Sequence, residues 1–160
     1  MHMDHLLKNL PGTIVFAVSE DGYLSSRYPD RTFLDLNGLH DFQMAKNGFS
    51  AEAVLSREPD LIWMPHWAYP ESTKSFWKQP AFWENYEYYP RLFAYGLAIR
   101  KNSDSYEKIH QALKASVARV YPGHDLAGEQ FIPPAGEFPE TAASIIEQFK
   151  SHFGIISDAF

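Results

Sequence analysis

Polar side chains that can bind a ligand follow three apolar segments of the chain. Asp21 lies in the segment 19–23, which reads Ser-Glu-Asp-Gly-Tyr. The segment 35–41 reads Asp-Leu-Asn-Gly-Leu-His-Asp, and the third segment is Pro65-His66-Trp67. Ligands of open α/β sheets bind beyond the carboxyl ends of the strands. Parallel pairing of the three apolar segments would therefore bring one set of side chains to a common rim: Asp21, Asp35, Asn37, His40, Asp41 and His66.

A metal site is one kind of chemistry that this rim can supply. Oxygen and imidazole ligands suited to a small metal-dependent hydrolase are present in Asp35, His40, Asp41 and His66. Their spacing matches no recognised ligand motif, and no His-Glu-x-x-His helix occurs. We therefore predict no metal and no cofactor, and keep the hydrolase as an alternative.

Acid–base catalysis by two carboxylates is a second option, with Asp35 and Asp41 as the pair. The two carboxyls of a glycosidase lie roughly 5 to 9.5 Å apart, a distance that sequence separation does not fix. The more common role of Asp and Asn in such a segment is to tie down their own turn through side chain–backbone hydrogen bonds, which is the interpretation favoured for Asp35 and Asn37.

No complete catalytic or nucleotide-binding motif accompanies these residues. The chain has no Gly-x-Ser-x-Gly nucleophile turn and neither a Walker-type nor a dinucleotide-type glycine loop. We therefore assign no catalytic residue.

Aromatic residues make up 16% of the chain and crowd between Trp63 and Tyr95. Aromatic faces beside polar groups suit sugar rings, but most buried rings simply fill a core. Trp67 and Tyr69, in a loop flanked by prolines, are predicted to be exposed and available to a ligand. The crowded residues are Trp63, Trp67, Tyr69, Phe76, Trp77, Phe82, Trp83, Tyr86, Tyr88 and Tyr89.

Four strands and five helices are predicted to position these residues. The strands are apolar or β-branched runs bounded by turn signals, at 13–19, 32–36, 60–64 and 92–100. The helices span 51–58 (with Ser50 as N-cap), 72–78, 81–85, 105–121 and 140–152. This order predicts an α/β fold with a small, mostly parallel or mixed sheet flanked by helices and an aromatic-rich irregular segment. One domain over 1–160 is expected, with a lead-in at 1–12, a connector at 122–139 and a C-terminal helix at 140–154.

Charge and composition exclude several classes of function. The net charge is −6 and no stretch gathers several Lys and Arg, which argues against nucleic acid and against a polybasic membrane-binding face. The chain has no cysteine, so disulfides and thiolate metal sites are excluded. The apolar run Ile14–Val18 is far shorter than the ~20 residues of a membrane span, and no signal peptide is evident. The start Met1-His2-Met3-Asp4-His5 resembles an added segment, which predicts an excised fragment.

Several segments resemble a known family. The segments 21–25 (Asp-Gly-Tyr-Leu-Ser) and 33–41 (Phe-Leu-Asp-Leu-Asn-Gly-Leu-His-Asp) are similar to an aspartate-glycine and aspartate-leucine-x-glycine-leucine-x-aspartate run. That run occurs in bacterial multi-pass glycosyltransferases of the arabinofuranosyltransferase-like, GT-C kind, which use lipid-linked sugars. Similarity continues in 45–48, 54–62 and 95–101, so that it covers Thr13 to Ser103.

The resemblance implies a soluble, extracytoplasmic (periplasmic) domain that follows the transmembrane helices of such an enzyme. The catalytic aspartate of that family lies in an early loop between membrane helices, so the domain is expected to be non-catalytic. Its expected partners are the transmembrane region of the parent protein and a glycan or lipid-linked sugar. Two alternatives stay open: a free-standing carbohydrate-binding module that uses Trp67, Tyr69 and the rim, and the metal-dependent hydrolase.

Overall fold

A five-stranded mixed sheet flanked by helices forms the framework of the protein, and a computed structural model describes residues 2–19, 21–66 and 68–132 of it. The strands are β1 (Val15–Val18), β2 (Thr32–Asp35), β3 (Leu61–Trp63), β4 (Tyr86–Tyr89) and β5 (Leu97–Arg100). The helices are α1 (His2–Asn9), α2 (Asp21–Arg27), α3 (Phe42–Asn47), α4 (Ala51–Leu55), α5 (Pro70–Trp77), α6 (Pro80–Asn85), α7 (Tyr106–Val120) and α8 (Leu126–Glu129). Within the described ranges, no helix is long and apolar enough to cross a membrane.

The sheet has the strand order β2-β1-β3-β5-β4. β1 pairs in parallel with β2 and with β3, whereas β5 is antiparallel to both β3 and β4. The predicted α/β class with a mixed sheet is therefore confirmed. The parallel pairing also brings the carboxyl ends of β1, β2 and β3 to one edge, which we call the rim.

The two faces of the sheet carry different cores, because successive side chains of a strand point to opposite faces. Phe16, Val18 and Ile99 belong to a core shared with α1 and α7. On the other face, the small side chains of Ala17 and Ala98 belong to a core filled by large rings. Those rings include Phe76, Trp77, Phe82, Trp83, Tyr86 and Tyr88. Most of the aromatic residues between Trp63 and Tyr95 thus belong to the core, as predicted for buried rings.

Several helices arise where none is predicted. The segment treated as a lead-in forms α1, whose Met3, Leu6 and Leu7 are buried against the sheet and α7. Residues spaced by three and four lie on one face of a helix, so this pattern is typical of an amphipathic helix. It was not recognised because the first residues of the chain resemble an added segment. α2, α3 and α8 are also additional, α8 lying inside the predicted connector. The predicted C-terminal helix lies outside the described residues.

The segment 86–100 departs most from the prediction. Tyr86–Tyr89, placed in the irregular segment, forms the edge strand β4. The predicted strand 92–100 is a strand only from Leu97, because residues 90–95 form a turn in which Phe93 and Ala94 adopt φ of 57° and 72°. Left-handed residues cannot continue a β-strand, so the strand is shortened.

Asp60, immediately before β3, ties three strands together. Its Oδ2 accepts a hydrogen bond from the Val15 backbone N–H (2.8 Å) in β1. Its Oδ1 accepts from the Arg100 guanidinium (3.0 Å) and from the Ser103 hydroxyl (2.5 Å) at the end of β5. This buried carboxylate fixes the end of the sheet opposite to the rim.

Candidate functional site

A crevice of about 250 Å³ lies at the rim. The chain leaves β1 towards β2 on one side and leaves β3 towards β4 and β5 on the other. Such a divergence of connections is where ligands of open α/β sheets bind. We call this site the rim crevice; it is lined by Ser19, Gly22, Tyr23, Asp35, Asn37, Leu39 and Tyr69.

Asp35 organises the turn that forms one wall of the rim crevice. Its carboxylate is buried and accepts the backbone N–H of Asn37 at Oδ1 (2.9 Å) and that of His40 at Oδ2 (2.7 Å). The prediction that Asp35 ties down its own turn is confirmed. Both oxygens of Asp35 therefore accept backbone hydrogen bonds that hold the turn.

Asn37 behaves differently from the prediction. Its Nδ2 donates to the Ser19 backbone carbonyl (2.5 Å), so the side chain joins the turn to the end of β1 rather than closing its own turn. Asn37 is exposed, and no described residue donates a hydrogen bond to its Oδ1. An amide oxygen held in this way can accept a hydrogen bond from a ligand hydroxyl.

Asp41, like His40 and His66, is not among the residues that line the rim crevice. It is the N-cap of α3 and accepts the backbone N–H groups of Gln43 (2.9 Å) and Met44 (3.1 Å). Its carboxylate also forms a two-point ion pair with Arg57. Helix capping and an ion pair therefore occupy the carboxylate of Asp41, which was predicted as a ligand-binding residue of the rim. Arg57 holds the pKa of Asp41 below its ordinary value, chiefly by hydrogen bonding.

The Asp41–Arg57 pair predicts a pH-dependent contribution to stability. A carboxyl whose pKa is lowered by folding stabilises the folded chain above its unfolded pKa of about 3.9, and this contribution is lost as the pH falls through the lower folded-state pKa. Asp41→Asn keeps an N-cap acceptor but removes the charge. In urea unfolding we expect the variant to have a lower free energy of unfolding than the wild type. This difference should be full above about pH 5 and should shrink below about pH 4. A deficit that does not change with pH would contradict the assignment.

The two rim histidines have distinct positions. His40 is exposed, and its Nδ1 lies 3.9 Å from Asp35 Oδ2. The backbone N–H of His66 donates to Ser19 Oγ (3.3 Å), which joins the ends of β1 and β3. The His66 ring contacts the rings of Tyr69 and Tyr95. His66 therefore lies beside the rim crevice, on the β3 side.

Exposed apolar side chains form the mouth of the rim crevice. Tyr23 and Tyr69 are each 48% exposed and Leu39 is 80% exposed, and all three line the crevice. The predicted exposure of Tyr69 is confirmed. Trp67 and the side chain of Asp21 lie outside the described residues. Ser19, Tyr23 and Leu39 are not among the side chains predicted for the rim, although all three stand in the segments 19–23 and 35–41 that the sequence places there.

The arrangement of charged groups favours binding over metal chemistry. Among the described residues, no three His, Asp or Glu side chains are placed to hold a metal ion together. Asp35 is engaged by backbone N–H groups and Asp41 by Arg57, so two of the four candidate ligands of the hydrolase have other roles.

Comparisons with known proteins identify no relative. No family model, no curated protein and no solved structure matches the chain.

Proposed function

We propose that the rim crevice binds carbohydrate and that the domain does so without catalysis. The observation that carries the proposal is the combination of the exposed Tyr23, Leu39 and Tyr69 with a polar floor. A sugar ring has apolar C–H faces and polar hydroxyl edges. Rings such as tyrosine offer an apolar face and a polar tip, and ligand sites combine apolar walls with a few fixed polar groups.

Two features of the carboxylates support a non-catalytic site. Glycosidases place two carboxyl groups on either side of the scissile bond, one of them free to give a proton. Asp35 is held by two backbone N–H groups, and Asp41 is paired with Arg57. The Asn37 Oδ1 and the tyrosine hydroxyls can orient a sugar, but they supply no acid–base pair.

We further propose that the domain belongs to a membrane glycosyltransferase that uses lipid-linked sugars, and that it lies on the periplasmic face of the bacterial inner membrane. In support, two segments that resemble such enzymes, 21–25 and 33–41, contribute Gly22, Tyr23, Asp35, Asn37 and Leu39 to the rim crevice. In this proposal the partner is the transmembrane region of the parent protein. Sequencing the parent gene tests it: an upstream reading frame without hydrophobic helices would contradict it.

Calorimetry tests the proposed binding directly. The probes are the methyl glycosides of arabinofuranose, galactofuranose, mannose, glucose and N-acetylglucosamine, with their di- and trisaccharides. We expect at least one series to bind, and Tyr69→Ala to weaken its affinity about tenfold, ~1.4 kcal/mol, because the variant removes a wall of the rim crevice.

Phe42→Ala is the matched control. Phe42 is a large ring that is 75% exposed but does not line the rim crevice, so we expect this variant to keep the wild-type affinity. Absence of heat with every glycan at millimolar concentration would reject the proposed function. An equal loss of affinity in the Tyr69 and Phe42 variants would instead reject the rim crevice as the site.

A further inference from the structure

We infer that Ser19 and Asn37 select the ligand of the rim crevice by two hydroxyls on adjacent carbons of a sugar ring. The Ser19 hydroxyl donates a hydrogen bond to one of them, and the Asn37 Oδ1 accepts a hydrogen bond from the other. This inference rests on the proposed carbohydrate-binding function and names the part of the sugar that the site recognises. It makes Ser19 a specificity-determining residue.

The first observation is a buried hydroxyl in the rim crevice. Ser19 lines the crevice and is only 6% exposed. Its Oγ accepts the backbone N–H of His66 (3.3 Å), so the proton of the hydroxyl is directed elsewhere. Among the described residues, no group accepts that proton. A buried donor without an acceptor is unfavourable, and a ligand oxygen in the crevice would satisfy it.

The second observation is an acceptor beside this donor. Asn37 Nδ2 donates to the Ser19 backbone carbonyl, and no described residue donates to Asn37 Oδ1. The two residues stand side by side because β1 and β2 are parallel, with Val18 opposite Asp35. The Leu36 N–H continues this ladder by donating to the Val18 carbonyl (2.8 Å). The bond between Asn37 and Ser19 is the next step along the same pair of strands.

The third observation is that the fold holds both groups in place. Ser19 follows β1, the middle strand of the three parallel strands that end at the rim. Its carbonyl is bonded to Asn37 after β2, and its Oγ is bonded to His66 after β3. Asn37 is held a second time, because its backbone N–H donates to the buried Asp35 (2.9 Å). A donor and an acceptor fixed in this way lose little conformational entropy when a ligand binds.

The chemistry of the pair indicates two hydroxyls. A hydroxyl can both accept and donate, so one can accept from Ser19 while its neighbour on the ring donates to Asn37 Oδ1. A ligand carboxylate has no proton for Asn37 Oδ1, and an ammonium group has no lone pair for Ser19. A site that hydrogen-bonds a ligand hydroxyl rejects the analogue that lacks it, because a buried protein group is then left unpaired. The rim crevice should therefore distinguish sugars by these two positions.

The experiment measures, on the full chain, the affinity for sugars that lack one hydroxyl at a time. Calorimetry uses the methyl glycosides of arabinofuranose, galactofuranose, mannose, glucose and N-acetylglucosamine, with their monodeoxy and monofluoro derivatives. We expect the loss of either of two adjacent hydroxyls to weaken binding about tenfold, equivalent to ~1.4 kcal/mol. Because fluorine accepts a hydrogen bond weakly and cannot donate one, the fluoro derivative should bind better than the deoxy derivative only at the hydroxyl that faces Ser19.

Variants assign each sugar hydroxyl to its protein group. Ser19→Ala is expected to weaken binding of the parent glycoside about tenfold, and to lose no further affinity when the facing hydroxyl is removed from the sugar. Asn37→Ala is expected to behave in the same way towards the adjacent hydroxyl. Ser116→Ala is the matched control, because Ser116 is a buried serine whose Oγ lies 3.0 Å from His5 Nδ1 and which does not line the rim crevice. It should keep the wild-type affinity and both deoxy effects.

The outcomes distinguish the two proposals. If no glycoside binds, the proposed function fails and the inference fails with it. If glycosides bind but Ser19→Ala and Asn37→Ala weaken every derivative equally, these residues act only on the structure, and the inference alone is overturned. The inference is also overturned if the wild type binds but no two adjacent hydroxyls matter. This last comparison needs no variant, so the test stays decisive if Ser19→Ala does not fold.

Discussion

Asp60→Ala is expected to lower the free energy of unfolding by about 3 to 4 kcal/mol, the range for a buried carboxylate removed from a charged and hydrogen-bonded network. The variant leaves the Val15 N–H and the Ser103 hydroxyl without the acceptor that they have in the folded chain. Arg100 loses its closer carboxylate, Asp60, and keeps its ion pair with Glu58 at 3.7 Å. Because these partners belong to different parts of the sheet, β1, β3 and the end of β5 lose a common anchor. Urea unfolding at neutral pH measures the loss.

Two further variants define what the Asp60 effect means. Asp30→Ala removes an exposed aspartate that precedes β2 and is expected to change stability by no more than about 0.5 kcal/mol. In a double-mutant cycle, Asp60→Ala and Ser103→Ala should couple by about 1 kcal/mol or more, since the two side chains share a hydrogen bond. Additive losses, or an Asp60 loss as small as that of Asp30, would show that the network does not anchor the sheet.

Asp60 illustrates which parts of the fold could be predicted from the sequence. The apolar runs that form β1 and β3 predict buried strands from local composition alone. The role of Asp60 depends on Val15 and Ser103, which lie 45 and 43 residues away along the chain, and no local pattern encodes such a pairing. The same limit explains β4, because a tyrosine-rich run becomes an edge strand only through its partner β5.

In the candidate site too, some features could be predicted from neighbouring residues and others depend on residues that are distant along the chain. Asp, Asn and Gly in the segment 35–41 predict a turn because their chemistry acts within a few residues, and Asp35 acts in this way. Asp41 has the same residue type, but its carboxylate is paired with Arg57, 16 residues away along the chain. The exposure of Tyr23 and Leu39 likewise depends on tertiary packing. The turn at 35–41 could thus be predicted from its own residues. The exposed side chains that line the rim crevice could not, because their exposure depends on how the chain packs on the sheet.

Gly38→Ala is expected to be the most damaging single substitution in the wall of the rim crevice. Gly38 has φ of 77°, and a Cβ at this position would lie 2.8 Å from the Ala45 backbone N and 2.9 Å from the Met44 backbone carbon. Those atoms belong to α3 and cannot move aside as the end of a side chain can. Left-handed strain and overpacking together predict a loss of about 3 kcal/mol in the free energy of unfolding.

Gly48→Ala separates strain from the close approach. Gly48 has nearly the same φ, 79°, but a Cβ there meets no atom within 4 Å. This variant carries only a conformational cost, and because φ of 79° with ψ of 174° is a region used almost only by glycine, we expect it to lose about 1 to 2 kcal/mol. Urea unfolding of the two variants side by side measures the difference. Equal losses would mean that the turn does not press against α3 as described.

The same pair of variants links the turn to the rim crevice. Relief of the clash at Gly38 requires the turn to move away from α3, and its neighbours Asn37 and Leu39 both line the rim crevice. We therefore expect Gly38→Ala to weaken glycan binding at least as much as Tyr69→Ala does, under conditions in which the variant remains folded. Gly48 is not among the lining residues, and its variant should keep the wild-type affinity. A Gly38 variant that is destabilised but binds normally would show that the crevice does not depend on the turn, and would move the site towards Tyr23 and Tyr69.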